Sequence, residues 1–334
     1  MLVALVQSAK STLSAGIRSL HFGCNPQFVR HVAGGTRAYS SNRAMSVPDP
    51  TFPTLMTPYG VQRKIEKSRS VRVLDCSWHF PSSARDANKE YLVGHIPTSL
   101  FFDVNECADR SSGLPHMLPT ARVFEDYVGE RGIHNETHVI VYDTSEMGMF
   151  SCQRVWWTFR VFGHEKVSIL DGGFQKWKDE GFPETDEVES PPLEEFVARY
   201  KPNLVRDFED VETNLKDQAA VVMDARPPGR FEGREPEPRE GTEPGRMPES
   251  INVPFGLIMD SDKKILKSEM ELRKVFDDHN IDLMKPLIAT CGSGMTASGL
   301  ALAAFLCGNY DVSVYDGSWA EWYARAKPED IVRY

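Results

Sequence analysis

No two cysteines in this chain stand in a CxxC arrangement. None of the six, at Cys24, Cys76, Cys107, Cys152, Cys291 and Cys307, falls at a zinc-type spacing from histidine. A disulfide framework and a metal site therefore have little support, and neither metal nor cofactor is expected. No apolar run approaches the length of a membrane span. Positive charge is also scarce: 38 Lys and Arg against 48 Asp and Glu leave −10, which argues against nucleic acid as a partner. The first 48 residues lack acid altogether. There Lys10, Arg18, Arg30, Arg37 and Arg43 sit among serines, alanines and small apolar residues. That composition is the pattern of a mitochondrial transit peptide, with an untargeted basic tail as the alternative; a secretory signal would need a longer unbroken apolar core. Met45 offers a second start that would leave a cytoplasmic form.

What remains is ordinary globular material: 334 residues, 41% apolar and 26% charged, enough for two domains. Self-similarity supplies their boundaries. Val71 to Asp75 is matched by Ala220 to Asp224, each an apolar run closing on Asp. Gly94-His95-Ile96-Pro97 matches Gly245-Arg246-Met247-Pro248, His138 to Asp143 matches Pro286 to Cys291, and Asp171-Gly172-Gly173-Phe174 matches Asp316-Gly317-Ser318-Trp319. The spacings agree too, 68 positions from Asp75 to Asp143 and 67 from Asp224 to Cys291. Apolar runs alternating with helical patterns argue for α/β domains, each a mostly parallel sheet flanked by helices on both faces. The expected organisation is a targeting segment over 1–48, a first domain over 49–182, a proline-rich extended linker over 183–205 and a second domain over 206–334. Trp156, Trp157, Phe159 and Val161 are expected in the first core, and Met270, Leu272, Val275 and Phe276 on one helix face in the second.

The chemistry concentrates at the end of one apolar run. Leu287-Ile288-Ala289 reads as a buried strand and Ser298 to Leu306 as a helix, with Cys291 and the glycines 292 and 294 between them. Such glycines let successive amides turn inward as an anion-binding nest, backed by the positive end of the helix dipole, which favours the thiolate of Cys291. A structural cysteine at a strand end is the alternative. The first copy carries Asp143 at the matching position and cannot carry sulfur there, so it is expected to act as a scaffold lending wall residues to a cleft between the domains. Cys307 is expected in the core; Cys76 and Cys107 are open to exposure and redox chemistry.

The tandem copies, the Gly-His-Ile-Pro word, the two closing Asp-Gly words and above all Cys291-Gly-Ser-Gly-Met-Thr-Ala resemble the two-domain rhodanese sulfurtransferases. Gly229-Arg230-Phe231 and Glu235-Pro236-Glu237-Pro238-Arg239 add to a likeness that covers nearly everything after about Pro53. The resemblance implies two rhodanese-like domains and catalysis through a persulfide on Cys291. It also implies catalytic roles for Ser293 and for His116 from the inactive domain. Arg230 and Arg239 would bind substrate together with Gly292, Gly294, Met295 and Thr296. One departure is Asn105, standing where the family has the acidic partner of the histidine; an amide orients a histidine but cannot stabilise its cation by charge.

Members that use thiosulfate carry Arg and Lys directly after the cysteine, where this chain has Gly292 and Ser293. Each missing charge pair is worth up to about 4 kcal/mol at about 4 Å and an effective dielectric near 20. The expected donor is accordingly 3-mercaptopyruvate, its carboxylate held by arginine, with pyruvate released. The expected acceptor is a thiol such as thioredoxin or a small thiol. Thiosulfate as donor and a protein sulfur relay for tRNA thiolation are the alternatives. Phosphoester hydrolysis, known for some rhodanese-like domains, needs a C-x5-R loop, and Ala297 stands at its closing position.

Overall fold

The computed structural model describes residues 49 and 51–333, so the expected targeting segment lies outside the described residues. The first half runs β1 (Leu55–Met56), α1 (Pro58–Lys67), β2 (Val71–Asp75), α2 (Ala87–Val93), β3 (Ser99–Phe101), α3 (Ala121–Gly129), β4 (His138–Tyr142), α4 (Cys152–Val161), β5 (Val167–Leu170) and α5 (Gly173–Asp179). The second repeats that order: β6 (Val205–Arg206), α6 (Phe208–Asp217), β7 (Val221–Asp224), α7 (Pro228–Phe231) and β8 (Ile251–Asn252). After an added antiparallel hairpin, β9 (Met259–Asp260) with β10 (Ile265–Leu266), it continues with α8 (Glu269–Asp278), β11 (Leu287–Thr290), α9 (Met295–Leu306), β12 (Ser313–Tyr315) and α10 (Ser318–Arg325).

Each half builds a five-stranded, all-parallel sheet, in the orders β1-β5-β4-β2-β3 and β6-β12-β11-β7-β8. The order reverses between β2 and β4 in the first and between β7 and β11 in the second. In open α/β sheets, ligands bind beyond the strand carboxyl ends at such a reversal. Register pairs Thr290 with Asp224, so the residues after β7 and β11 emerge side by side.

Local chemistry sets the helix starts. Thr57 and Thr120 cap α1 and α3 through their hydroxyls, and reciprocal capping boxes, Asp207 with Asp210 and Ser268 with Glu271, start α6 and α8. On α8 only Leu272, Val275 and Phe276 are buried. Met270 is 78% exposed, contrary to expectation, because it lies two residues before Leu272 and about 200° around the helix from it.

α9 is apolar all round and buried almost throughout, wedged between its sheet and α4 of the other half. Trp156 meets Phe305 edge to face at 5.3 Å, and the Arg160 guanidinium lies 4.0 Å over the same ring. The closing Asp of each repeat reaches across to the other half. Asp171 Oδ1 accepts the Leu266 amide at 2.9 Å, and Asp316 Oδ2 accepts the Leu118 amide at 2.8 Å. The segment 183–205 lies along the first half, with Phe196 buried and the amides of Glu194, Arg199 and Lys201 bonded to Gly129, Phe162 and Val161 carbonyls.

Candidate active site

Cys291 follows β11 at the floor of a cleft of about 390 Å3. Its walls come from both halves: Trp78, Phe80, Met147 and Phe150 from the first, and Arg226, Arg230, Arg239 and Phe255 from the second. Of the site residues expected from sequence, Cys291, Gly292, Ser293, Met295, Thr296, Arg230 and Arg239 line this one space.

The loop is held from outside the cleft. α10 sends two amides to it, Trp319 N to the Cys291 carbonyl at 2.9 Å and Ala320 N to the Gly292 carbonyl at 3.1 Å, while Ser318 Oγ accepts the Cys291 amide at 3.2 Å. Among the described residues, the N–H groups of Gly292 to Thr296 donate to no protein oxygen and are available to an anion. The first half shows what such a turn binds. There the Asp143 carboxylate, at the position matching Cys291, accepts the amides of Phe150 (2.8 Å), Ser151 (2.8 Å) and Cys152 (2.9 Å) on a single oxygen. One half has filled its nest with its own carboxylate, and the other presents a sulfur there.

The two glycines do different work. Gly294 sits at φ +77° and starts α9, which therefore begins at Met295, three residues before the expected start, and brings Met295 and Thr296 into the first turn. Gly292 has no such angle. A Cβ there would lie 2.9 Å from Arg230 Nη2, so a larger side chain would have to push that guanidinium aside.

The arginines differ as well. Arg230 donates through Nε and Nη2 to Glu237 Oε2, and Glu237 is in turn held by Arg226 Nη1 at 2.8 Å. Arg226 is fully buried, grips Asp224 with Nε and Nη2, and lies 4.4 Å over the Trp319 ring. Burial alone would depress its guanidinium, but Asp224 and Glu237 more than offset that and hold it above its ordinary value. Among the described residues Arg239 has no carboxylate partner, and its hydrogen bond is a long 3.5 Å contact from Nη2 to His116 Nε2. Burial lowers its pKa, opposed by the neighbouring Cys291.

His116 does not line the cleft. It lies behind Arg239, at φ +58°, edge to face with Trp78 at 4.8 Å, and no hydrogen bond joins it to Ser293. Burial, together with the Arg154 and Arg239 cations, pushes it down to about 3, so at neutral pH it is an uncharged imidazole accepting from Arg239. Asn105 is exposed; its main chain bonds Asp103 and Arg110, and its side chain makes no hydrogen bond to His116. Cys76 and Cys107 are buried, contrary to the expectation of possible exposure, and burial raises both thiols, Cys107 to about 12. Sequence reasoning missed Arg226, Arg154 and the aromatic wall. Asp224-Ala225-Arg226, directly after a strand, was the available signal for the first.

A rhodanese-like domain model matches residues 57–180 and 207–325. The chain is 47% identical to 3-mercaptopyruvate sulfurtransferase of Homo sapiens over 78% of its own length and 88% of that protein's. It is 48% identical to thiosulfate sulfurtransferase of Rattus norvegicus over 79% of its own length and 88% of that one's. Among solved structures, SseA from Escherichia coli, described as a 3-mercaptopyruvate sulfotransferase, superposes with a TM-score of 0.72 at 33% identity over 80% of this chain and 98% of that one. The Tum1 protein from Saccharomyces cerevisiae does so with 0.77 at 30% over 84% and 97%. A duplicated parallel fold, a cysteine on an anion nest in one copy and likeness along nearly the whole described chain agree: the protein belongs to the rhodanese family, as a two-domain sulfurtransferase.

Proposed function

We propose that the chain moves sulfur from 3-mercaptopyruvate to a thiol through a persulfide on Cys291. The observation that carries the choice of donor is the uncharged loop: Gly292 is packed against Arg230, Ser293 is neutral, and Arg239 on the wall has no carboxylate partner among the described residues. Overall identity does not separate the donors, since relatives of both names match equally well. A 2-oxo acid needs a guanidinium for its carboxylate and places no second charge at the sulfur, which suits this arrangement.

In the first half-reaction the Cys291 thiolate attacks the donor sulfur. The carbon–sulfur bond breaks, its electron pair leaves as the pyruvate enolate, and the proton once on the donor thiol is taken up at the enolate carbon, with Ser293 in the cleft to relay it. The loop amides hold the resulting persulfide anion. An acceptor thiol such as thioredoxin or a small thiol then takes the outer sulfur, and a second thiol would release it as hydrogen sulfide. Intact-mass analysis after 3-mercaptopyruvate alone should show one added sulfur, lost in Cys291→Ser; an unchanged mass would remove the reading. Thiosulfate is the alternative donor, and comparing kcat/KM for the two decides it.

The composition of residues 1–48 supports a mitochondrial location, with Met45 as the start of a cytoplasmic form. N-terminal sequencing of the protein from each compartment tests both.

A further inference from the structure

Arg154 belongs to α4 of the half that does no chemistry, yet its guanidinium ends at the catalytic loop. Its side chain is 4% exposed and does not line the cleft. Nη2 donates to the Asp316 carboxylate at 2.6 Å and to the main-chain carbonyl of His116. Nη1 is buried with no hydrogen-bond partner among the described residues. A buried, unpaired donor on a cation is costly and calls for a reason. Its location supplies one: a Cβ built on Gly294 would lie 2.6 Å from Nη1. The positive end of the Arg154 fork therefore abuts the turn between Cys291 and α9, from behind.

The loop carbonyls are engaged by the protein itself. The Cys291 and Gly292 carbonyls take amides from α10, and the Gly294 carbonyl takes Ser298 Oγ at 2.9 Å. A fixed cation behind the turn keeps the peptide dipoles pointing their N–H ends forward and favours negative charge in front. The same guanidinium fixes the His116 backbone at its positive φ, and His116 in turn meets Arg239. We propose that Arg154 is a positioning residue for sulfur transfer: from the non-catalytic half, it orients the Cys291 loop for an anion and fixes the main chain of His116, whose ring meets Arg239. The inference rests on Cys291 being the sulfur carrier.

The test reads Cys291 without a donor, as its rate of alkylation by iodoacetamide in the full chain across pH. The other charged or titratable groups facing the loop are Arg230 with Glu237, Arg226, Arg239, Asp316 and His116, and none is altered in the first variant. Arg154→Met should react at least about tenfold more slowly at pH 7 and like the unaltered protein at pH 10, and Arg154→Lys should recover most of the loss. Should Arg154→Met fail to fold, Arg154→Gln keeps an amide donor for Asp316 and the His116 carbonyl while removing the charge, and should show the same loss at pH 7. A folded charge-free variant that alkylates normally at pH 7, or one slowed equally at both pH values, would overturn the proposal. Failure of the carrier reading looks different: the unaltered protein would gain no sulfur mass from 3-mercaptopyruvate.

Discussion

Arg230 and Arg239 stand six and fifteen residues beyond Asp224, the end of the same strand, and look interchangeable on paper, but their surroundings divide the work. Glu237 already takes two donors from Arg230, so that side chain enters the cleft largely neutralised and serves as a wall against Gly292. Arg239 meets an uncharged imidazole and keeps its full charge for a ligand. A charge-assisted hydrogen bond contributes about 1.5–3 kcal/mol, so Arg239→Ala should raise KM for 3-mercaptopyruvate about 10- to 100-fold with a smaller change in kcat. Arg230→Ala should cost less, because Glu237 already offsets the charge that Arg230 brings to the cleft. Steady-state kinetics of the two variants, side by side, check the ranking. Cys291 and both arginines were legible in the chain because each sits inside a short, ordered word. Arg226, Glu237 as a brace and the wall of Trp78, Phe80, Phe150 and Phe255 were not, since their roles exist only once distant segments meet.

Among elements, the informative comparison is between the starts of α4 and α9. Each follows the central strand of its sheet, α4 after nine residues and α9 after four, and each leaves its first amides without helical partners. In α4 these amides converge on Asp143, so the substitution that removes sulfur chemistry from the first half also completes its hydrogen bonding. Asp143→Ala would leave the buried Ser151 and Cys152 amides unpaired, with the part-buried Phe150 and Ser145 amides beside them. The expected loss is about 3 kcal/mol or more in urea unfolding, with the Cys291 chemistry retained in whatever fraction stays folded. The strands were readable from their apolar runs, and the duplication was readable from repeated words. The start of α9 at Met295 was not, because it depends on Gly294 adopting a positive φ, and Met270 was misplaced because four apolar residues in seven allow more than one helical face.

At the scale of the molecule, the two halves share one apolar core through α4 and α9, so a change in either is felt by both. The first half also concentrates buried histidines that are uncharged at neutral pH. Burial drives His138 and His164 down to about 4, and burial with two arginines drives His116 to about 3. A folded value below the unfolded one means the unfolded chain binds protons first. The stability these groups contribute is therefore complete above about 6.5 and lost as pH falls toward 4. Each costs about 2 kcal/mol between pH 7 and pH 5 by linkage. Asp75 works in the opposite sense: desolvation raises it to about 6, so its contribution is present below about 4 and disappears as pH rises through 6. Three histidines outweigh one carboxyl, and the fold should weaken on mild acidification. His164 is 2% exposed, with its ring centre 5.4 Å from that of Phe159 and 5.6 Å from that of Phe196. His164→Phe keeps the ring, removes the proton site, and should lose about 2 kcal/mol less than the unaltered protein between those pH values in urea unfolding. Identical losses in the two proteins would mean that the buried histidines of the scaffold half do not set its acid limit.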